Sequence, residues 1–175
     1  MDSPSQKLVI LLAFSLALVF SASSASAESK LVNEVCSRTN DYPSCIAALQ
    51  LDLRATKATT LLSLSEIALQ AAATDTARSR KDVDRMLADP NTRSSWKPAL
   101  QTCKANFDKV AAEFSAASRK LMMDRLSANY DVLMASQAIN ACLAFLRSHK
   151  QNVPPLVTRR AHAKSFVSID LVVTE

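Results

Sequence analysis

A chain of 175 residues with a formal net charge of +5 and no glycine at any position has no phosphate-cradling loop, no dinucleotide fingerprint and no nucleophile elbow, because all three are built on glycine. Strand-rich domains also need glycine in tight turns and bulges, whereas helices can end on Asn, Asp or proline-containing segments, so the composition predicts an all-α fold. With two histidines and no paired carboxylates in an apolar setting, nothing is available for acid–base chemistry, and the chain reads as a binding protein without catalytic residues or cofactor.

At the N-terminus, Lys7 precedes an apolar run from Leu8 to Phe20, followed by small polar residues ending in Ala25-Ser26-Ala27. This pattern predicts a secretory signal peptide over residues 1–27, cleaved after Ala27, because the run is too short to span a bilayer and no stop-transfer charge follows it. Removal leaves 148 residues, 28–175, the usual size of one domain with one core. Asp2 and Lys7 cancel, so the mature chain keeps its charge of +5. An exported basic chain is expected to meet acidic protein surfaces or wall polyanions, with neither nucleic acid nor membrane as partner. No Asn-x-Ser/Thr triplet occurs, so N-glycans are not expected.

The first element is a helical hairpin over residues 28–53, broken by Asn40-Asp41-Tyr42-Pro43. Four bundle helices are expected over 54–175. One long helix runs from about Ala55 to Leu87, with Ala58, Leu61, Leu64, Ala68 and Ala71 on one face and a solvated charged extension from Asp75 to Arg85. Asp89-Pro90-Asn91 forms a turn, and Ser94 and Ser95 are candidate N-caps for the next helix, Ala99 to Leu121. There Leu100, Cys103, Phe107, Val110, Phe114, Ala117 and Leu121 recur in alternating steps of three and four, which is one buried seam. Val132, Ala135, Ile139, Cys142 and Leu146 repeat the pattern, so the two helices are antiparallel neighbours. In the last segment Val167, Ile169, Leu171 and Val173 alternate like a strand, while His162, Phe166, Ile169 and Val173 keep helical spacing. A lone strand has no partner here, so a fourth bundle helix starting after Pro154-Pro155 is predicted.

Four cysteines in an exported chain are most simply two disulfides, with three connectivities open. A bridge from Cys36 to Cys45 would staple the hairpin, and one from Cys103 to Cys142 would tie two seams together from inside the core. Metal ligation with His149 and His162 is disfavoured, because no two candidate ligands have a close Cys-x-x-Cys or His-x-x-x-His spacing.

Four stretches carry a family resemblance. They are Leu31-Val32-Asn33-Glu34-Val35-Cys36 with Thr39, Tyr42 and Cys45; Leu49 to Arg54 with Ala55-Thr56; Ala99-Leu100-Gln101-Thr102-Cys103 with Phe107; and Ala135-Ser136-Gln137-Ala138 ahead of Cys142 and Phe145. Together they resemble the plant invertase and pectin methylesterase inhibitor family over nearly all the mature chain. The resemblance implies an up-down-up-down four-helix bundle behind an N-terminal helical hairpin, with bridges Cys36–Cys45 and Cys103–Cys142. It also implies a secreted protein of the apoplast or cell wall, or of the vacuole. Such a protein, a monomer when free, would block acid invertase or pectin methylesterase in a reversible one-to-one complex.

Two features resemble invertase inhibitors: Ser95-Trp96-Lys97-Pro98-Ala99-Leu100 and Asp52-Leu53-Arg54-Ala55-Thr56. Invertase is therefore the expected target, with pectin methylesterase as the alternative. Where the resemblance places an inserting Pro-Lys-Phe loop, this chain has Asp124, Arg125, Leu126 and Ser127, the expected partner-binding residues. Pectin methylesterase inhibitors, in contrast, lay helix faces across a cleft; here Asp108, Lys109, Glu113, Arg119 and Lys120 are of mixed sign. An enclosed lipid site is a rival reading disfavoured by the filled seams, and direct binding of pectin by basic helices is another.

Overall fold

Five of the seven helices among the described residues start at an oxygen-bearing side chain that caps the first turn. The computed structural model describes residues 29–175, and the expected signal peptide, residues 1–27, lies outside the described residues. Helix α1 (Lys30–Ser37) starts at Ser29, whose Oγ accepts from the Val32 N–H at 3.1 Å. Asp41 does the same for α2 (Tyr42–Gln50) by accepting from the Ser44 N–H at 3.1 Å, and Asp52 for α3 (Leu53–Lys57) by accepting from the Arg54 N–H at 2.9 Å. Each cap satisfies a donor that would otherwise have no partner in the first turn.

The long helix α4 spans Leu61–Ala88, not Ala55 to Leu87 as the spacing suggests. Thr60 forms a capping box with Ser63, accepting its N–H at 3.1 Å while Ser63 Oγ accepts the Thr60 N–H at 3.4 Å. Ala58 turns extended, with ψ 129, since the β-branched Thr59 and Thr60 lose little by leaving the helix and Thr60 gains a cap. The boundary expected at residue 54 falls inside the short α3. Ser94 and Ser95 do not cap the next helix either. They form a 3-10 turn, Ser94–Trp96, and α5 (Lys97–Lys120) follows with Pro98 in its first turn. Helices α6 (Arg125–Ser148) and α7 (Pro154–Thr174) complete the bundle. The last segment is thus a helix begun by its proline pair, and no strand occurs among the described residues.

Helices α4 to α7 run alternately up and down. α5 packs between α4 and α6, and α7 packs against α6 and α4, which closes the square; α1 and α2 lie against α7. Both predicted seams point inward along their whole length, from Leu100 to Leu121 and from Val132 to Leu146. They feed two apolar clusters. One joins α1 and α2 to the bundle end around Phe114 and Phe166, and the other surrounds Cys103 and Cys142 with Leu100, Phe107, Val83 and Leu156.

The Asp75–Arg85 stretch of α4 is not the freely solvated extension its charges suggest. Asp75, Thr76, Ser79 and Val83 are all buried, because the helix stays wedged between α5 and α7 along this stretch. Several of its charged residues are paired: Arg80 lies 3.0 Å from Asp108 and Lys104 2.7 Å from Asp84, both across to α5, and Asp82 pairs with Arg85 within the helix and with Arg159 of α7.

The two disulfides join Cys36 to Cys45 and Cys103 to Cys142, with Cα separations of 5.5 and 4.9 Å, and leave no free cysteine among the described residues. The cost of having no glycine shows at the end of α6. Lys150 takes the left-handed conformation with φ 50. Its N–H reaches the Arg147 carbonyl and the Gln151 N–H reaches the Leu146 carbonyl, a Schellman closure usually given to glycine.

Candidate docking face

The four residues singled out by sequence form the cap and first turn of α6, and no loop projects there. Asp124 Oδ1 accepts the Ser127 N–H at 3.0 Å and Oδ2 accepts the Ser127 hydroxyl at 2.6 Å. These bonds, the hydroxyl first and the backbone N–H second, hold the Asp124 carboxyl below the usual carboxylate range. Arg125 Nη2 leans back to the Val173 carbonyl, 3.4 Å away. Three of the four side chains are thus occupied within the bundle. Leu126, 84% exposed, has no such role.

Leu126 belongs to a larger surface that the sequence reading did not assemble. The turn from α5 to α6 is pinned on both sides. Leu121 is buried, and the Met123 and Asp124 N–H groups both reach the Lys120 carbonyl, at 2.9 and 2.8 Å. Between these anchors Met122 and Met123 are forced outward, 68% and 83% exposed. On α6 the exposed side chains continue from Leu126 through Tyr130 and Leu133 to Gln137, Ala141 and Ala144, in steps of three and four that keep one helix face. From Leu126 to Leu146 the sole charged residue is Asp131, and it is buried against Lys120, whose Nζ lies 2.8 Å away. The outer face of α6 is therefore uncharged over about 27 Å. The signal was present in the sequence: a seam that points Val132, Ala135 and Ile139 inward leaves Tyr130 and Leu133 outside.

Several of the remaining sequence candidates play structural parts. Trp96 is half-buried, packed on the Cys103–Cys142 cluster, with the Arg93 guanidinium 5.0 Å from its ring. Asp52 is bonded by Arg54, whose side chain holds the carboxyl below its usual range and also reaches Gln70 Oε1 at 3.2 Å. On α5, Asp108 pairs with Arg80 of α4 and Lys120 with Asp131 of α6, whereas Lys109, Glu113 and Arg119 are in none of the ion pairs among the described residues. Among the described residues no group of His, Cys, Asp or Glu could hold a metal ion, and no helix is long and apolar enough to cross a membrane.

The chain matches the family model described as plant invertase/pectin methylesterase inhibitor over residues 30–172. The chain belongs to the plant invertase/pectin methylesterase inhibitor family. Its fold is similar to the crystal structure of a mutant form of a pectin methylesterase inhibitor from Arabidopsis. The TM-score is 0.69 at 19% identity, covering 83% of this chain and 95% of that one. It is similar also to that of a pectin methylesterase inhibitor from Arabidopsis thaliana, with TM-score 0.58 at 18% identity, covering 84% and 95%. No curated protein matches the chain. Family membership makes this an inhibitor-type protein of all-α architecture, and at these identities the solved structures speak for the fold alone.

Proposed function

We propose that the protein is an exported inhibitor of pectin methylesterase that docks through the outer face of α6 and the α5–α6 turn in a one-to-one complex. The observation that carries this is the uncharged face of α6 from Leu126 to Ala144, with the exposed Met122 and Met123 beside its N-terminal end. Charge depletion around exposed Met, Leu and Tyr side chains is the composition of a protein interface centre, not of a solvated helix. A flat helix face suits docking across a cleft. The invertase reading rested on the Trp96 and Asp52–Arg54 segments, which are engaged in packing and capping, and the Asp124–Ser127 segment, where an inserting loop would stand, is spent on capping α6. The family's description covers both targets, and the solved structures of similar fold are those of pectin methylesterase inhibitors. Export by way of a cleaved leader at residues 1–27 and action in the cell wall are part of this reading.

The test is a titration of the oxidised chain lacking residues 1–27 against purified pectin methylesterase and acid invertase at mildly acidic pH. Inhibition of pectin demethylation, weakened at least about tenfold by Leu126→Asp or Tyr130→Ala, is expected. Inhibition of sucrose hydrolysis alone overturns the choice of target. Inhibition of demethylation that neither substitution weakens overturns the choice of face.

A further inference from the structure

The chain contains five methionines, and the described structure divides four of them sharply. Met86 packs against the Cys103–Cys142 cluster and Met134 is half-buried on α6, whereas Met122 and Met123 stand 68% and 83% exposed at the apex of the apolar face. Nothing in the bundle requires thioethers there. The turn is held by backbone bonds to the Lys120 carbonyl, by buried Leu121 and by the Asp124 cap, so both sulfurs are held out to solvent without any part in the fold. We propose that Met122 and Met123 form a peroxide-sensitive modification site that weakens docking when either becomes a sulfoxide, an inference that rests on the docking face argued above.

The chemistry balances with a peroxide as the named oxidant. A sulfur lone pair attacks one peroxide oxygen, the S–O bond forms as the O–O bond breaks, and the departing oxygen takes up the proton to leave as water or alcohol. Sulfur is oxidised by two electrons and the peroxide is reduced by two. Susceptibility follows exposure, so Met122 and Met123 react ahead of Met86 and Met134. The product replaces a flexible, polarisable apolar group with a strong acceptor. In the free protein that acceptor is hydrated at no cost. In the complex it is buried against the partner at one end of the docking face, where an acceptor without a donor opposes binding. The folded bundle is unaffected, because neither sulfur contributes to its core.

The experiment treats the intact, disulfide-bonded chain with graded hydrogen peroxide. It follows each methionine by peptide mass spectrometry, the fold by circular dichroism, and inhibition of pectin methylesterase. Met122 and Met123 are expected to gain one oxygen at least about tenfold faster than Met86 and Met134. Their conversion should weaken inhibition at least about tenfold with the helical signal unchanged. A methionine sulfoxide reductase should restore it. In Met122→Leu/Met123→Leu the ratio of treated to untreated inhibition constants stays near one, whereas Met86→Leu/Met134→Leu responds as the natural chain does. Full conversion of both residues without loss of inhibition, or an equal loss in the Met122→Leu/Met123→Leu variant, overturns the proposal. An untreated chain that inhibits invertase or neither enzyme refutes the docking reading instead, and the switch falls with it.

Discussion

Lys120, the last residue of α5, closes onto Asp131 in the second turn of α6, its Nζ 2.8 Å from both carboxylate oxygens. The pair spans the short turn that carries Met122 and Met123. The Asp131 side chain is 6% exposed and that of Lys120 44%, so the acid depends on the lysine while the lysine retains water. Lys120→Met should therefore cost about 2 kcal/mol by leaving a buried carboxylate alone. Lys120→Met combined with Asp131→Leu should recover most of that loss. Urea unfolding of the two variants checks both, and equal losses would mean that packing, not charge, is being measured.

Asp170 gives the bundle a dependence on pH. It is fully buried on α7, neither carboxyl oxygen has a hydrogen-bond partner, and burial pushes its pKa well above the usual carboxylate value. The folded protein holds this proton where the unfolded chain releases it. Stability therefore falls as pH rises from about 4 towards the folded pKa, with a slope of up to about 1.4 kcal/mol per pH unit. Asp41, Asp52, Asp84 and Asp124 work in the opposite sense. Their pKa values are lowered chiefly by bonds from Ser44, Arg54, Lys104 and Ser127, so their contribution is present above the ordinary value and lost as pH falls through the lowered one. Thermal unfolding should show greatest stability at acidic pH, near about 4. Asp170→Leu should flatten the decline above it.

Lys150 sits where glycine is the usual residue. Its left-handed backbone, φ 50, crowds its own Cβ, a cost that glycine avoids. Lys150→Gly should raise stability by about 0.5–1 kcal/mol with inhibition unchanged, measured by the midpoint of thermal unfolding. A lower midpoint would show that the lysine side chain contributes more than its backbone costs.

The two disulfides close loops of different length, with separations of 9 and 39 residues. The entropy of the unfolded chain then assigns about 3 kcal/mol to Cys36–Cys45 and about 4 kcal/mol to Cys103–Cys142. Cys103→Ala/Cys142→Ala should therefore destabilise more than Cys36→Ala/Cys45→Ala. It also opens the second apolar cluster, whereas the hairpin pair releases α1 and α2 from each other. Denaturant midpoints of the two double variants rank them.

Much of this protein was legible in its residues, because helical periodicity and a fixed set of cysteines are local properties. The lack of glycine pointed to helices, the three-four spacing of Leu100 to Leu121 and of Val132 to Leu146 identified two inward faces, and Pro154-Pro155 began the last helix. The start of α4 was misread because a capping box at Thr60 and Ser63 outweighs the propensity of the alanines before it. The burial of Asp75, Thr76 and Ser79 could not be read from their polarity, since that depends on where α5 and α7 pass. The same limit applies to the docking face. Leu126 was visible as a departure from a motif, but whether Met122, Met123, Tyr130 and Leu133 are core or surface is decided by which side of α6 its neighbours cover. A sequence specifies the apolar residues of a helix through its period, while only packing against other helices determines which of them are left facing water.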